Sequence, residues 1–318
     1  MLIYIEKSQI NNPVAKNIID SYRNPKILEI DNYKNLFDKK ILGNTEKSII
    51  IAWVNNAILE APKWYWFSTK WYFLKNSLNC VYDCKYCYLK WAFKNDKLVV
   101  FVNYDEIKKQ VLNLVGKITD KVWFYSSDYS DNLAIDNLTN FSLEFIPFFE
   151  TLDNAMMEIR TKSINIKNLL KLKPAKNTEI AFSLNPSEVV KSYEKLTPSL
   201  EARIKAINTL IDLWWKVWVR FLPLLEIDNY KEVYTRFLDN IIEKIDFSKI
   251  NSIFIWGLMF THKDYSNILK KEPYLDLLYK LEKSDDFYRE SKEVRFWFYE
   301  QFSKYIKLKE CNICLDTY

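Results

Sequence analysis

The sequence predicts an α/β fold, a partial (β/α)6 barrel of the TIM type with short N- and C-terminal extensions. The first observation is that short apolar runs alternate with longer amphipathic runs from about Tyr72 onward, as they do in βα units around a parallel sheet. The second is size, because 318 residues with a hydrophobic content of 49% are enough for one large domain with a full core and a small appendage.

The alternation indicates six βα units in a core at 69–260, between an N-terminal extension at 1–68 and a C-terminal extension or lid at 261–318. The extension begins with a strand at 2–5 and ends in an apolar run at 49–59. The core strands are predicted at 72–74, 122–125, 156–160, 179–184, 217–222 and 252–255, with an extra strand at 97–103. The helices are predicted at 104–115, 138–152, 164–170, 200–213 and 230–245. Pro198 and Ser199 give the fourth helix a clear start signal.

Composition and charge exclude several classes of protein. No segment approaches 18 uninterrupted apolar residues, and the start MLIYIEKSQINN lacks a signal-peptide pattern, so we expect a cytoplasmic protein. Five cysteines, three of them clustered, favour reduced metal-binding thiols over a disulfide scaffold. The net charge of +5 permits contact with nucleic acid without demanding it. A single histidine, His262, excludes sites built from several histidines.

The run NCVYDCKYCYLK carries the strongest functional signal. Its cysteines, Cys80, Cys84 and Cys87, have the spacing C-x3-C-x2-C, and an aromatic residue, Tyr86, precedes the last of them. Three thiolates can bind one face of a [4Fe–4S] cube and leave the fourth iron open to a small molecule. The alternative is a structural zinc site in which Cys84 and Cys87 pair with Cys311 and Cys314. That alternative leaves Cys80 without a role.

This motif resembles that of the radical S-adenosylmethionine (SAM) superfamily. The resemblance implies that the core at 69–260 is a radical SAM core, in which the open iron binds SAM and a 5′-deoxyadenosyl radical is released. It also implies an electron donor such as flavodoxin or ferredoxin. The cysteine loop follows the first core strand, and sites of such barrels lie at the C-terminal ends of their strands.

Several further stretches resemble the spore photoproduct lyase family. CKYCYLK followed by VVFVNYDEI is similar to the family's CxYCYLQ and V-Y-V-N strand. SSDYSDNLAIDNLT, IRTKS, AFSLNP and SYEKLTPSLEARIKAI match later family segments in the same order. The resemblance covers about residues 70–260, and the ordered set is far more specific than any one of its members.

The resemblance assigns four SAM contacts. It implies that Ser130 and Asp131 lie near the SAM amino group, that Lys162 contacts the carboxylate, and that Ser183 contacts the ribose or carboxylate. These residue types suit their assigned groups, because an ammonium pairs with a carboxylate and hydroxyls bond to hydroxyls. The competing interpretations are a solvated surface lysine for Lys162 and a turn at a strand end for Ser183.

One departure bears on the reaction. The resemblance implies a cysteine just ahead of Ser130, which in the family donates hydrogen to the product radical. This chain has Asp128 at that position, and an aspartate is ionised at neutral pH. We therefore expect a radical SAM enzyme of the spore-photoproduct-lyase-like group that acts on an unidentified substrate. Nucleic acid is one candidate substrate, which would give the enzyme a role in DNA repair. The alternatives are a true photoproduct lyase that uses another hydrogen donor and a non-catalytic, zinc-stabilised nucleic-acid-binding protein. Cys311 and Cys314 either supply a thiol or second metal site or are structural.

The chain is also poor in glycine and rich in tryptophan. It has 3 glycines, where ordinary usage predicts roughly 22, and 11 tryptophans. Trp214 and Trp215 lie between a predicted helix and strand, at the C′ position where φ > 0 favours glycine. The family has G-x-x-V/L-G in this region, where this chain has WKVW. One hypothesis is that UGA codons read as glycine have been translated as tryptophan, and the alternative is a truly aromatic-rich protein.

Overall fold

The computed structural model describes residues 1–38, 48–62, 69–284 and 286–306, and the backbone of 311–313. The strands are β1 (Leu2–Glu6), β2 (Lys26–Ile30), β3 (Ser48–Ala52), β4 (Ile58–Glu60), β5 (Trp71–Leu74), β6 (Ser77–Leu78), β7 (Asp83–Cys84), β8 (Leu98–Phe101), β9 (Val122–Tyr125), β10 (Ala155–Thr161), β11 (Thr178–Ser183), β12 (Glu194–Lys195), β13 (Val217–Leu224), β14 (Ser252–Gly257), β15 (Met259–Thr261), β16 (Glu282–Lys283), β17 (Phe287–Arg289) and β18 (Cys311–Ile313).

The helices occupy most of the connections. They are α1 (Pro13–Asp20), α2 (Lys34–Phe37), α3 (Leu89–Ala92), α4 (Tyr104–Val115), α5 (Asp136–Thr139), α6 (Phe141–Phe149), α7 (Ser187–Tyr193), α8 (Leu200–Asp212), α9 (Tyr230–Lys244), α10 (His262–Lys271) and α11 (Lys292–Tyr305). None of the helices in the described ranges is long and apolar enough to cross a membrane.

The chain forms two compact units, each assembled from separate segments. The first comprises the described residues of Met1–Val81, Phe93–Thr161 and Asn165–Glu179, and the second comprises Tyr82–Ala92, Lys162–Ile164 and the described residues from Ile180 onward. The sequence led us to expect three consecutive segments, divided at 68 and 260, and that division stays a prediction.

In the first unit, an N-terminal sheet has the order β2-β1-β3-β8-β6. Its first four strands are parallel, and β6 is antiparallel to β8. Ile49, Ile50 and Ile51 are all buried, as in a central parallel strand that is covered on both faces. A second set of strands in this unit runs β4-β5-β9-β10, parallel except for β4.

In the second unit, β11 from Ile180 onward, β13, β14 and β18 pair in that order and are parallel. The short strands β15, β17 and β16 form an antiparallel sheet, and β12 pairs antiparallel with β7. The α/β class with parallel strands is therefore confirmed. Each predicted core strand is present to within two residues at either end.

Two of the predicted helices need correction. The prediction of a helix at 164–170 is wrong, because the structure has only a 3-10 turn in this region, at Leu169–Lys171. The side chains of Asn165 and Asn168 donate to the carbonyls of Leu133 and Asp136, at 2.9 and 3.0 Å. Such side-chain bonds to distant backbone compete with helix formation.

The helix expected at 138–152 is also shorter than predicted. It is interrupted at Asn140, whose φ of 52° lies in the left-handed region and separates α5 from α6. Asparagine tolerates this conformation better than most residues. The start signal at Ser199 is confirmed, since its hydroxyl accepts a hydrogen bond from the Ala202 N–H at 3.2 Å.

The end of α8 places Trp214 in a conformation that favours glycine. Its φ is +65°, and its side chain is 86% exposed. The Trp214 N–H donates to Ile211 at 2.9 Å, and the Trp215 N–H donates to Leu210 at 3.0 Å. These two bonds form a Schellman motif, whose C′ residue is usually glycine. The geometry at this residue therefore agrees with the recoding hypothesis, which stays a prediction until the codons are read.

We expect Trp214→Gly to stabilise the protein by about 1 kcal/mol, because a side chain in the left-handed region is strained. The measurement is the free energy of unfolding in urea. Trp53→Gly is the matched control, because Trp53 is also exposed but is not among the positive-φ residues. An equal gain from both changes, or a loss at Trp214, would contradict the prediction.

Candidate cofactor site

The cysteine loop is divided between the two units. Cys80 belongs to the first unit and is partly exposed. It follows Asn79, which has a φ of 65° and whose side chain donates to the Lys97 carbonyl at 2.8 Å. Cys84 and Cys87 belong to the second unit, where Cys84 is buried and Cys87 is partly exposed. The Cys87 N–H donates to the Cys84 carbonyl at 3.1 Å, so one turn carries both thiols.

A short strand in the second unit holds this turn in place. β12 pairs with β7 so that Glu194 lies opposite Cys84 and Lys195 lies opposite Asp83. The Lys85 N–H extends the pairing by donating to the Tyr193 carbonyl at 2.8 Å. The backbone around Cys84 is therefore fixed by a partner more than a hundred residues later in the chain.

The side chain of Glu194 joins the cysteine turn to the interior. It accepts hydrogen bonds from the Tyr86 hydroxyl, from Asn185 Nδ2 at 3.0 Å and from Arg203 Nη2 at 2.6 Å. The side chains of Glu194 and Arg203 are both fully buried. Tyr86, which directly precedes Cys87, is thus tied to a buried ion pair.

Arg203 makes three further contacts that orient this ion pair. Its guanidinium donates to Pro198 O at 3.1 Å, to Ser183 O at 3.0 Å and to Thr197 Oγ1 at 2.7 Å. All of these partners lie in the second unit. A buried charge is tolerated when it is paired and hydrogen-bonded, as here.

Lys162 contributes positive charge to the same cluster. Its Nζ lies 5.7 Å from the centroid of the Tyr86 ring. Burial alone would raise the pKa of Glu194, but the charges of Lys162 and Arg203 and the hydrogen bonds it accepts lower that pKa overall. Glu194 is therefore a carboxylate at neutral pH.

The Cys84 thiol is protonated when no metal is bound. Burial raises its pKa to about 12, whereas the nearby charge of Lys162 acts in the opposite direction. A metal ligand must be a thiolate, so metal binding at Cys84 would release a proton. Of the three cysteines, Cys84 is thus the one whose sulfur is shielded from solvent.

In the first unit, the chain after β9 forms a second polar cluster. Asp131 accepts hydrogen bonds from Thr161 Oγ1 at 2.7 Å and from the Ala134 N–H at 3.1 Å. The adjacent Asn132 Oδ1 accepts from Asn76 Nδ2 at 3.0 Å and from Ser77 Oγ at 3.3 Å. The backbone at the end of β9 is therefore firmly positioned.

Two hydroxyl groups in this cluster have no hydrogen-bond partner among the described residues. Ser127 Oγ and Ser130 Oγ are buried, and within the described part of the chain neither has a donor or acceptor. Unpaired buried polar groups are rare and costly in native structures. They are what a polar cofactor, such as the amino acid portion of SAM, would satisfy, so these residues fit that group.

The predicted site residues thus fall into two groups. Cys84, Cys87, Lys162 and Ser183 lie in the second unit, and Cys80, Ser130 and Asp131 lie in the first. Over 1–38, 48–62, 69–284 and 286–306, no three His, Cys, Asp or Glu side chains are gathered in a way that could hold a metal ion. Joint ligation of a metal cluster by Cys80, Cys84 and Cys87 therefore stays a prediction. The Cys311 side chain and Cys314 lie outside the described residues.

The sequence did not assign roles to Glu194, Arg203 and Asn185. Glu194 and Arg203 stand in the stretch SYEKLTPSLEARIKAI, which was singled out only for its resemblance. The signal in the sequence that could have identified them is the opposite charge of Glu194 and Arg203, nine residues apart within a stretch that matches the family.

Comparison with known proteins gives one consistent family. The family model described as Spore photoproduct lyase matches residues 1–304. The spore photoproduct lyase of Clostridium acetobutylicum is 25% identical over 85% of this chain and 82% of its own length, and that of a Geobacillus species is 22% identical over 77% and 74%. A solved spore photoproduct lyase mutant with bound AdoMet and dinucleoside spore photoproduct has the same fold, with a TM-score of 0.83, 19% identity, and 98% of this chain and 97% of the other covered.

Proposed function

Because the chain belongs to the spore photoproduct lyase family, we propose that it is a radical SAM enzyme that takes electrons from a flavodoxin or ferredoxin. When bound, a [4Fe–4S] cluster and SAM would supply a 5′-deoxyadenosyl radical for hydrogen abstraction from the substrate. The buried hydrogen-bond network around Glu194 is the observation that best supports the proposal. This network fixes the turn that carries Cys84 and Cys87, two of the three cysteines.

Cys80, Cys84 and Cys87 would hold the cluster. Three thiolates leave one iron free for the amino and carboxylate groups of SAM. The tie from Tyr86 to Glu194 supports this assignment, because it sets the turn that carries Cys84 and Cys87. Burial of Cys84 would keep water away from its thiolate.

Ser130, Asp131, Lys162 and Ser183 would bind SAM. The unpaired buried hydroxyl of Ser130 supports a polar ligand at the end of β9. Asp131 would accept from the ammonium of SAM, since an ionised carboxylate accepts strong hydrogen bonds from ammonium groups. Lys162 would pair with the SAM carboxylate. Ser183, at the end of β11, would contact the ribose or carboxylate of SAM through its hydroxyl. Its backbone carbonyl accepts a hydrogen bond from Arg203, which fixes its position.

The substrate would be a nucleic acid. One solved family member is described with bound dinucleoside spore photoproduct, and the net charge of +5 suits a polyanion. Asp128 stands where the family has a hydrogen-donor cysteine, and an ionised carboxylate is a poor donor of a hydrogen atom. We therefore propose that return of hydrogen to the product radical does not use a thiol at this position.

Metal analysis separates the enzyme from a zinc-stabilised binding protein. After anaerobic reconstitution, we expect about four irons and matching sulfide per chain, because the cysteine spacing suits a cube. Colourless protein that holds about one zinc and no sulfide would contradict the proposal.

We expect Asp128→Cys to increase conversion of dinucleoside spore photoproduct to thymidine, because the thiol supplies the hydrogen atom that the wild type lacks. The measurement is product yield per 5′-deoxyadenosine formed, so that the radical step is held constant. Asp128→Ser is the control, since it removes the charge without adding a thiol. Equal yields from wild type and Asp128→Cys would instead support a photoproduct lyase with another hydrogen donor.

A further inference from the structure

The N-terminal sheet of the first unit has a point where its winding reverses. The chain runs from β1 to β2 on one side, and then crosses back so that β3 pairs with the other side of β1. The order is therefore β2-β1-β3-β8, with all four strands parallel. In open parallel sheets, ligands bind beyond the carboxyl ends of the strands at such a reversal.

A cleft of about 370 Å³ lies at this position. The loops that follow β1, β2 and β3 line it, and Lys75, which follows β5, closes one side. All of the lining residues belong to the first unit. The volume is within the range of small-molecule sites, which begins at roughly 300 Å³.

Glu6, the last residue of β1, holds the cleft open. Its carboxylate accepts the Tyr33 N–H after β2 and the Trp53 N–H after β3, both at 2.8 Å. The residue is buried, and these two bonds satisfy its oxygens. The loops on both sides of β1 are thereby fixed, so the cleft is formed before any ligand arrives.

Two lysines supply positive charge to the cleft, whose lining also includes the buried carboxylate of Glu6. Lys34 is exposed and Lys75 is half-buried, and neither is ion-paired within the described residues. Burial lowers the pKa of Lys75, and the charge of Lys34 lowers it further, so the two ammonium groups repel each other. Asp31 also lines the cleft, but its carboxylate is paired with Lys7 at 2.8 Å. An anion between the lysines would relieve their repulsion.

We propose that this cleft binds a phosphate group, with Lys34 and Lys75 as the cationic contacts. Amide side chains after β2 and β3, Asn32, Asn55 and Asn56, line the same cleft and supply neutral donors and acceptors. The cleft volume of about 370 Å³ limits the part of the ligand inside the cleft to about one nucleotide. The phosphate belongs either to a free nucleotide or to a nucleic-acid backbone, and both present the same chemistry to the two lysines.

Calorimetric titration of the full chain at low salt tests the proposal with three probes: inorganic phosphate, thymidine monophosphate and a short single-stranded oligonucleotide. We expect saturable binding near one site per chain for at least one of them. The Lys34→Ala/Lys75→Ala variant should weaken this binding by more than about tenfold, since two charged contacts are lost. The control is Lys16→Ala/Lys117→Ala, which removes the same charge from exposed lysines of the same unit that do not line the cleft.

The pattern of binding identifies the source of the phosphate. If binding of thymidine monophosphate is weakened in the Lys34→Ala/Lys75→Ala variant, the natural ligand is a free nucleotide. If only binding of the oligonucleotide is weakened in that variant, the ligand is a nucleic-acid backbone. Unchanged binding in the cleft variant, equal losses in both double variants, or no saturable binding of any probe would overturn the proposal. Circular dichroism of each variant confirms that a loss of binding is not a loss of fold.

Discussion

Replacing Cys80, Cys84 or Cys87 by alanine, one at a time, is expected to abolish iron binding and SAM cleavage together. Two thiolates cannot hold a cube in place while leaving a defined open iron, so no single cysteine is dispensable. We expect 5′-deoxyadenosine formation to fall to the level of a reaction without protein. The measurements are iron and sulfide content, followed by quantification of 5′-deoxyadenosine under reducing, anaerobic conditions.

Cys314→Ala is the control that separates this account from the zinc alternative. In a zinc site built from two pairs of cysteines, loss of Cys314 would release the metal while loss of Cys80 would not. For the proposed cluster the pattern is the reverse, so Cys314→Ala should keep its iron. A Cys80→Ala protein with full iron content would contradict the cluster assignment.

Arg203→Met is expected to cost about 3–5 kcal/mol of unfolding free energy, because it leaves the buried carboxylate of Glu194 without its charge partner. The change also removes the donors to the carbonyls of Ser183 and Pro198. Since Glu194 holds Tyr86 and lies opposite Cys84, we further expect faster loss of iron from the reconstituted protein. Urea unfolding and the rate of iron release to a chelator measure the two effects.

A double-mutant cycle shows whether the cost arises from the uncompensated charge. Glu194→Gln combined with Arg203→Met removes both charges of this buried pair, so the double variant should be less destabilised than the sum of the two single changes. The surface control is Arg236→Met, which breaks the exposed 3.0 Å pair with Glu188 and should cost less than about 1 kcal/mol. Equal costs for Arg203→Met and Arg236→Met would show that the buried pair does not support the turn.

The fold could be predicted from the sequence wherever a local pattern dominates. Buried parallel strands such as 122–125 are short apolar runs, and α4 begins and ends at the predicted residues because its amphipathic period is clear. The helix at 164–170 could not be predicted correctly. Asn165 and Asn168 bond to backbone that lies some thirty residues away, and that competition is invisible in a local window.

The candidate site could be predicted only in part, for a related reason. The cysteine spacing gives the ligands directly, because the chemistry of a cube demands three thiolates close together in sequence. The groups that position them come from elsewhere, since Glu194 reaches Tyr86 across 108 residues of chain. Burial alone decides that Glu194 and Arg203 form a structural pair instead of a solvated one. Burial of charged residues does not follow from their spacing.

The most direct measurement of the central claim is reductive cleavage of SAM by the reconstituted full chain. With dithionite and no substrate, we predict that wild-type protein forms 5′-deoxyadenosine and that Cys84→Ala forms none above the protein-free reaction. Wild-type protein that carries a complete cluster and yet yields no 5′-deoxyadenosine, or that yields as much after loss of Cys84, would contradict the assignment of this chain as a radical SAM enzyme.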